Sequence, residues 1–342
     1  MDGDRIREAA FLFGLWVPVA LIAASRNLPI PMSLEDVRAL PGKFNHHLAN
    51  RSELRNAFAR WHSELMIYLN GRSALRKVLA GRDGWLFLRL GGPNSPHAEP
   101  YEELALARNR YAQRAVECRG LGVDYRVLVV PSKEMVYSEY MPERNLRFLK
   151  LSGRVTPVGR FFQTKGGDVP TIDLLNRLRR EKANGRLWFK TDSHWNELGG
   201  LAAAEEIRRH LIGDQVEPWH YVIRQRESVG GNEAQILGTQ DQVKDEHPQV
   251  IIQEGPVPTF ENGAPIDLPT INLEEFEKGF VRTKCPGAPF KRGLVFHNSY
   301  GVALVPFVSR LFEQCTFAWR KFDWKPVRRD RPDVVIDLHK TY

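Results

Sequence analysis

Cysteine is scarce in this chain of 342 residues, which has three: Cys118, Cys285 and Cys315. That excludes a disulfide-framework fold, and no two of them stand at the CxxC spacing of a metal knuckle. A single disulfide stays open in an oxidising compartment, with no pair singled out. No HExxH occurs, and His46-His47 are adjacent on an expected helix, where neighbouring side chains diverge. Glycine pairs such as Gly91-Gly92 lack the strand–GxGxxG–helix context of dinucleotide binding, and no following GK[ST] supplies a phosphate loop. No cofactor or metal is therefore expected. Internal repeats and low-complexity tracts are absent too. The charged fraction of 26% and hydrophobic fraction of 42% exclude wholesale disorder. A mean hydropathy of −0.39 excludes a polytopic membrane protein. The net charge of +8 is scattered rather than striped. It therefore speaks against nucleic acid as a partner and leaves an anionic polymer or a membrane surface.

One long apolar run is present. Ala9–Ser25 carries no charged residue over 17 positions, about 26 Å as a helix against a hydrocarbon core of ~30 Å. Arg5 and Arg7 precede it and Arg26 follows. It reads as a secretory signal peptide or an uncleaved signal anchor, and Ala23-Ala24-Ser25 would permit cleavage. The anchor is the preferred reading, occupying residues 1–26. Residues 27–79 then form a connector and a membrane-proximal helix, because Phe44, Leu48, Leu54, Phe58, Trp61, Leu65 and Tyr68 recur mostly three or four apart. Residues 80–342 are left as one domain of catalytic size.

Within that domain, strand-like and helical patterns alternate. Trp85–Leu88, Val127–Val130, Leu187–Phe189, Leu294–Phe296 and Val334–Ile336 read as strands. Helical spacing marks Tyr111–Leu121, Ile172–Leu178, Leu198–Leu211 and Val302–Phe312. Residues 213–290, rich in Gly, Pro, Asn and Gln, read as irregular insertions. The alternation predicts an α/β fold, a sheet flanked by helices.

Two segments carry candidate chemistry. In Thr191-Asp192-Ser193-His194-Trp195, an acid and an imidazole two residues apart can share one side of an extended segment. There a carboxylate can fix the imidazole tautomer and stabilise its protonated form. A helix N-cap beside a structural histidine is the plainer alternative. In Phe296-His297-Asn298-Ser299-Tyr300-Gly301, Ser299 stands where a strand ends and a helix begins, so its hydroxyl is exposed near free backbone N–H groups. A helix cap is again the alternative. Together the segments supply what a serine nucleophile requires, a base and an acid to orient it.

These segments, taken with others, resemble the bacterial alginate O-acetyltransferases of the AlgJ and AlgX type, an SGNH-hydrolase-like family. Gly81-Arg82-Asp83-Gly84-Trp85-Leu86-Phe87 is similar to its G-x-D-G-W-L-F block. Pro131-Ser132-Lys133 with Tyr137 and Tyr140-Met141-Pro142 resembles its P-x-K…Y…P block, and Asp192-Ser193-His194-Trp195 its D-[ST]-H-W motif. His297-Asn298-Ser299-Tyr300 aligns with G-D-S-[FY], and Arg331-Pro332-Asp333-Val334-Val335 with the closing strand. The resemblance spans residues 40–337, in the family's order. It implies an SGNH-like sheet with permuted motif order and a Ser299–His194–Asp192 triad. It further implies periplasmic O-acetylation of an exported polysaccharide, with anchoring to the inner membrane and a membrane-bound O-acyltransferase supplying acetyl groups. Lys133, Tyr137 and Trp195 are then candidates for the sugar groove, a cation for a uronate carboxylate and aromatic faces for a ring. Asn298 and Asn232 are candidate oxyanion helpers. Two departures stand out: His297-Asn298 replaces Gly-Asp before the serine, and Gly230-Gly231-Asn232-Glu233-Ala234 stands where relatives have G-D-L-A. An acetyl esterase of the same fold, or a non-catalytic scaffold of a secretion complex, are the rival readings.

Overall fold

A computed structural model describes residues 78–88, 101–143, 157–164, 169–237, 239–268 and 279–341. The apolar run Ala9–Ser25, the connector and the amphipathic helix expected at Phe44–Tyr68 lie outside these residues. Among the described residues, no helix is long and apolar enough to cross a membrane.

The described chain opens on a small antiparallel pair, β1 (Val78–Ala80) and β2 (Leu86–Leu88). In the turn between them Asp83 and Gly84 both take positive φ, 54° and 77°, the region where Gly and Asp carry the least steric cost. Helix α1 (Tyr101–Gly120) leads into β3 (Asp124–Val130) and the short α2 (Lys133–Val136). Then come α3 (Pro157–Thr164), β4 (Thr171–Asp173), α4 (Leu175–Glu181) and α5 (Glu197–Ile212). A ribbon of β5 (Tyr221–Val229) and β6 (Lys244–Ile252) follows, with α6 (Asn232–Leu237) between its strands. Next are β7 (Thr259–Phe260), β8 (Phe280–Lys284) and β9 (Phe290–His297). A 3-10 turn at Ser299–Leu304 runs into α7 (Val305–Val308), and β10 (Phe312–Trp319), α8 (Trp324–Asp330) and β11 (Val334–Lys340) close the chain.

The main sheet has the order β4-β3-β11-β9-β10-β8-β7. Its first five strands are parallel and the last two antiparallel. Parallel strands covered on both faces read as unbroken apolar runs, which is why Val127–Val130 stands out in the sequence. Leu128, Val130, Val295 and Ile336 turn to one face and pack with Leu178 of α4 and Leu201 and Ile207 of α5. Val127, Val129, Leu294, Phe296 and Val335 turn to the other, onto Cys118 of α1, Phe162 of α3 and Val327 of α8. The result is an α/β sandwich in three layers. In an open sheet of this kind the loops beyond the carboxyl ends of the strands are where sites form. Ser299 lies two residues past the end of β9.

Several local expectations need correction. Ile172 belongs to β4 rather than to a helix, and α4 begins three residues later. Leu187-Trp188-Phe189 is not a strand; only Trp188 makes a bridge, to Trp195. Phe312 opens β10 instead of ending a helix. The largest difference is at 213–290, expected to be irregular, where β5 and β6 pair over nine residues each. β5 is largely exposed and shows no clean apolar alternation, and β6 spends two of its buried positions on Asp245 and Pro248, so neither strand reads from the sequence. Cys118, Cys285 and Cys315 are buried and free, so no disulfide forms. Burial pushes the Cys118 thiol up to about 11 and raises the other two. Because only a thiolate attacks such reagents, the native protein is expected to leave all three unlabelled by a soluble aromatic disulfide. Titration of three thiols only after denaturation checks this.

Candidate active site

Asp192 and His194 sit in the loop that precedes α5. The contact between them is local. Asp192 Oδ1 accepts from the backbone N–H of His194 at 2.8 Å and lies 2.6 Å from Nδ1 of the same residue. This is an Asx turn, which needs only an acid two residues before the amide it caps. Oδ2 accepts from the backbone N–H of Asn232 at 2.9 Å. Burial alone would push the Asp192 carboxyl up. The hydrogen bond and charge of His194, with the Asn232 and His194 amides, outweigh it and hold the group below the usual carboxylate range. Asp192 is therefore ionised at neutral pH.

The third member arrives from 105 residues away: His194 Nε2 lies 2.8 Å from Ser299 Oγ. With Nδ1–H donated to Asp192, Nε2 is free to accept from the serine hydroxyl. The His194 side chain keeps 27% of its surface exposed and Asp192 15%. A hydroxyl, an imidazole and a carboxylate in one hydrogen-bonded line, reachable from solvent, can perform nucleophilic acyl transfer.

The two segments are bound to each other on either side of this line. Tyr300 OH donates to the Ser193 carbonyl at 2.5 Å, and Trp188 Nε1 donates to the same oxygen at 3.0 Å. In return Trp195 Nε1 donates to the Tyr300 carbonyl at 2.9 Å. From beneath, Asp245 of β6 accepts from both the N–H and the hydroxyl of Thr191, at 2.9 and 3.0 Å. Thr191 Oγ1 then accepts from Gly231 N–H at 2.9 Å. Asp245, Gly231, Tyr300 and Trp188 are supporting residues to which sequence reasoning gave no role. Tyr300 and Gly231 stand in quoted motif segments and Trp188 in an apolar run, whereas Asp245 carries no signal.

The residues expected in a groove or an oxyanion site are placed otherwise. Lys133 is 3% exposed and its ammonium donates to three backbone carbonyls, so it does not face a substrate. Tyr137 is buried between Trp85 and Trp188 and its hydroxyl accepts from Leu187 N–H at 2.8 Å. Trp195 is buried and serves the cross-link just described. Local sequence does not say which way a loop residue turns, and here all three side chains expected in a groove turn into the core. Asn232 meets the acid through its backbone N–H rather than meeting Ser299 through its amide. Asn298 caps the 3-10 turn, its Oδ1 accepting from Tyr300 N–H at 3.0 Å. Its amide nitrogen and the Ser299 N–H are what the segment can offer a developing oxyanion. As the first amide of its turn, the Ser299 N–H has no intrahelical partner.

The His297-Asn298 departure from the motif has a structural answer at each residue. Asn298 retains the capping oxygen that an aspartate would supply, without a second negative charge beside the nucleophile. His297 is 4% exposed, against Phe317 and Trp319. Burial drives its imidazole down to about 4, against the raising effect of the Nδ1 hydrogen bond to the Asn298 carbonyl, so it packs as a neutral ring. The space it needs comes from Gly301: a Cβ there would lie 2.2 Å from His297 Cγ.

Comparison with known proteins follows the same lines. A family model described as the SGNH hydrolase-like domain of acetyltransferase AlgX matches residues 78–256, more than half of the chain. Asp192 and His194 lie inside that range and Ser299 beyond it. The chain is 32% identical over 141 residues to the probable alginate O-acetylase AlgJ of Pseudomonas aeruginosa, a match covering 40% of this chain and 34% of that protein. A second AlgJ, from Pseudomonas putida, is 28% identical over 131 residues, covering 38% of this chain and 32% of the relative. The matches thus span about a third of the length of these curated relatives. Among solved structures, PatB1 of Bacillus cereus is similar with a TM-score of 0.52 at 16% identity, covering 77% of this chain and 95% of that one. A DHHW family protein of Eubacterium siraeum reaches 0.52 at 17% identity, covering 75% and 88%. At such identities the likeness is one of fold. On the extent of the family match, the chain belongs to the SGNH hydrolase-like domain family of acetyltransferase AlgX.

Proposed function

We propose that this protein is an O-acetyltransferase with Ser299 as nucleophile, acting on hydroxyl groups of an exported polysaccharide. The observation that carries the reading is the hydrogen-bonded line Ser299–His194–Asp192 in a domain of this family. Ser299 Oγ attacks the carbonyl carbon of an acetyl donor while His194 Nε2 takes its proton. Asp192 holds the imidazole and balances its charge. The Ser299 N–H, with the Asn298 amide as second donor, stabilises the oxyanion. Collapse of the tetrahedral intermediate expels the donor's leaving group, which takes the proton from His194. A sugar hydroxyl, deprotonated by the same imidazole, then attacks the acetyl-serine and leaves acetylated. The names of the two AlgJ relatives support a polysaccharide as acceptor. The apolar run Ala9–Ser25 supports a periplasmic site of action with an inner-membrane anchor, and a membrane-bound acyltransferase is the partner that would deliver acetyl groups there.

A site this open also admits water, which competes for the same acyl-enzyme. The test supplies a soluble acetyl ester with and without a uronate oligosaccharide and follows both products by mass spectrometry. Acetylated oligosaccharide, with less free acetate than in its absence, is the expected result. Free acetate alone, across neutral and acidic acceptors, would make the protein an esterase.

A further inference from the structure

Beneath the Asp192 loop lie two buried charged side chains that the proposed mechanism does not use. Lys133, at the start of α2, places Nζ 2.6 Å from the Leu86 carbonyl, 2.9 Å from that of Lys190 and 3.0 Å from that of Asp192. An ammonium has three protons, and three carbonyls from two distant segments use them all. The rings of Trp85 and Phe87 cover it, their centroids 5.1 and 5.2 Å away. Glu233, in the first turn of α6, is 0% exposed, and neither carboxylate oxygen has a hydrogen-bond partner among the described residues. Its own N–H donates to the Thr191 carbonyl at 3.0 Å, while the N–H of its neighbour Asn232 binds Asp192 Oδ2. The peptides around Asp192 are therefore held from one side by Lys133 and from the other by the turn that carries Glu233.

A buried carboxyl without a partner is costly unless an opposite charge lies near or it takes up a proton. Both answers operate here. Each residue is the other's strongest charge partner, and Glu134, Asp192 and Asp245 also face Lys133. Asp192 and Glu134 face Glu233 as well, and Lys340 of β11 lies within reach of its field. Burial lowers the Lys133 ammonium and raises the Glu233 carboxyl, and the attraction between the two charges opposes both shifts.

We propose that Lys133 and Glu233 are a buried positioning pair for the triad. Lys133 fixes the Asp192 backbone through its carbonyl, and Glu233 balances the ammonium and sets the field under the Asp192–His194 couple. This rests on Ser299, His194 and Asp192 acting as proposed above. Neither residue touches substrate. Their influence passes through the orientation of the carboxylate and the charge the imidazole senses.

The test compares Lys133→Met, Glu233→Gln and the double variant with the native protein, using a small acetyl ester and reading kcat, KM, the pH profile of kcat/KM and the melting temperature. Lys133→Met is expected to lower kcat about 100-fold with KM within threefold, since misplacement of about 1 Å costs that much. Losing a cation that faces the Asp192 carboxylate leaves the field under the Asp192–His194 couple more negative and favours the imidazolium, so the acidic limb of the profile moves to higher pH. Glu233→Gln removes a negative charge and moves that limb to lower pH. A role in folding alone would lower the profile without moving it in opposite directions. The double variant regains melting temperature relative to Lys133→Met but not kcat, because the Asp192 carbonyl stays unheld. Unmoved limbs in both single variants, or full recovery of kcat in the double, would overturn the proposal. Should Lys133→Met fail to fold, an unmoved limb in Glu233→Gln overturns it alone. Ser299→Ala, assayed alongside, separates the two readings: an inactive Ser299→Ala with native-like Lys133→Met rejects the positioning pair only, and an active Ser299→Ala rejects the triad itself.

Discussion

Ser299→Ala is expected to reduce kcat for acetyl transfer by about 10⁴-fold or more, roughly 5 kcal/mol of lost transition-state stabilisation. The protein should melt within a degree or two of the native one. The substitution removes one oxygen whose bond in the resting protein is to the partly exposed His194, so little stability goes with it. Asp192→Asn should cost nearly as much, about 10³- to 10⁴-fold, for a different reason. Asp192 accepts three N–H groups: the ring and backbone of His194 on Oδ1, and the backbone of Asn232 on Oδ2. An asparagine has one acceptor oxygen and an NH₂, so one of these donors must meet another donor. If the NH₂ turns to His194, Nδ1 loses its proton to Nε2 and the ring can no longer accept from Ser299. The measurements are kcat with an acetyl ester and the mass of the trapped acyl-enzyme. An acetyl adduct of undiminished yield on the Ser299→Ala protein would remove this serine from the mechanism.

Gly231→Ala should also have a large effect, although residue 231 carries no chemistry. A Cβ built there would lie 2.4 Å from Asp192 Cβ and 2.6 Å from its Oδ2. No relaxed structure tolerates such contacts, so either the carboxylate or the turn before α6 has to move. Moving the carboxylate misaligns His194, and moving the turn breaks the Gly231 and Asn232 hydrogen bonds to Thr191 and Asp192. A fall in kcat of about 100-fold is expected, with a lower melting temperature. Gly120→Ala is the control. A Cβ there meets nothing within 4 Å, and alanine at the end of α1 should leave activity unchanged and stability equal or slightly higher. A Gly231→Ala protein with kcat within threefold of native would show that this turn does not set the acid's position.

How much of this was legible beforehand follows the distance over which each interaction acts. The Asp192–His194 contact is local, made by a loop whose acid caps an amide two residues on, and a reader of five residues can see it. The α/β layering was legible for the same kind of reason, since Val127–Val130 and Leu294–Phe296 are apolar on both sides only because helices cover both sides of a parallel sheet. The motif blocks were legible as a family resemblance, and the family match agrees. The destination of Lys133, Tyr137 and Trp195 was not. A lysine and two aromatics beside a candidate site look like a groove, and whether they face solvent is settled by what packs over them. Trp85 covers both Lys133 and Tyr137 here, and it comes from the residue just before β2, about fifty positions away.

The sequence by itself determined the residue types, the acid–imidazole pair, the serine at a strand end and the apolar runs that become the sheet. Each is written within a few neighbouring residues or in a regular period. Tertiary structure alone decided that the serine meets the imidazole across 105 residues, that Asp245 and the glycine turn support the acid from an unexpected ribbon, and that a lysine expected in a sugar groove is buried with a glutamate as its counter-charge. Such contacts depend on the packing of whole elements against one another, a competition among many weak burial terms that no local pattern records.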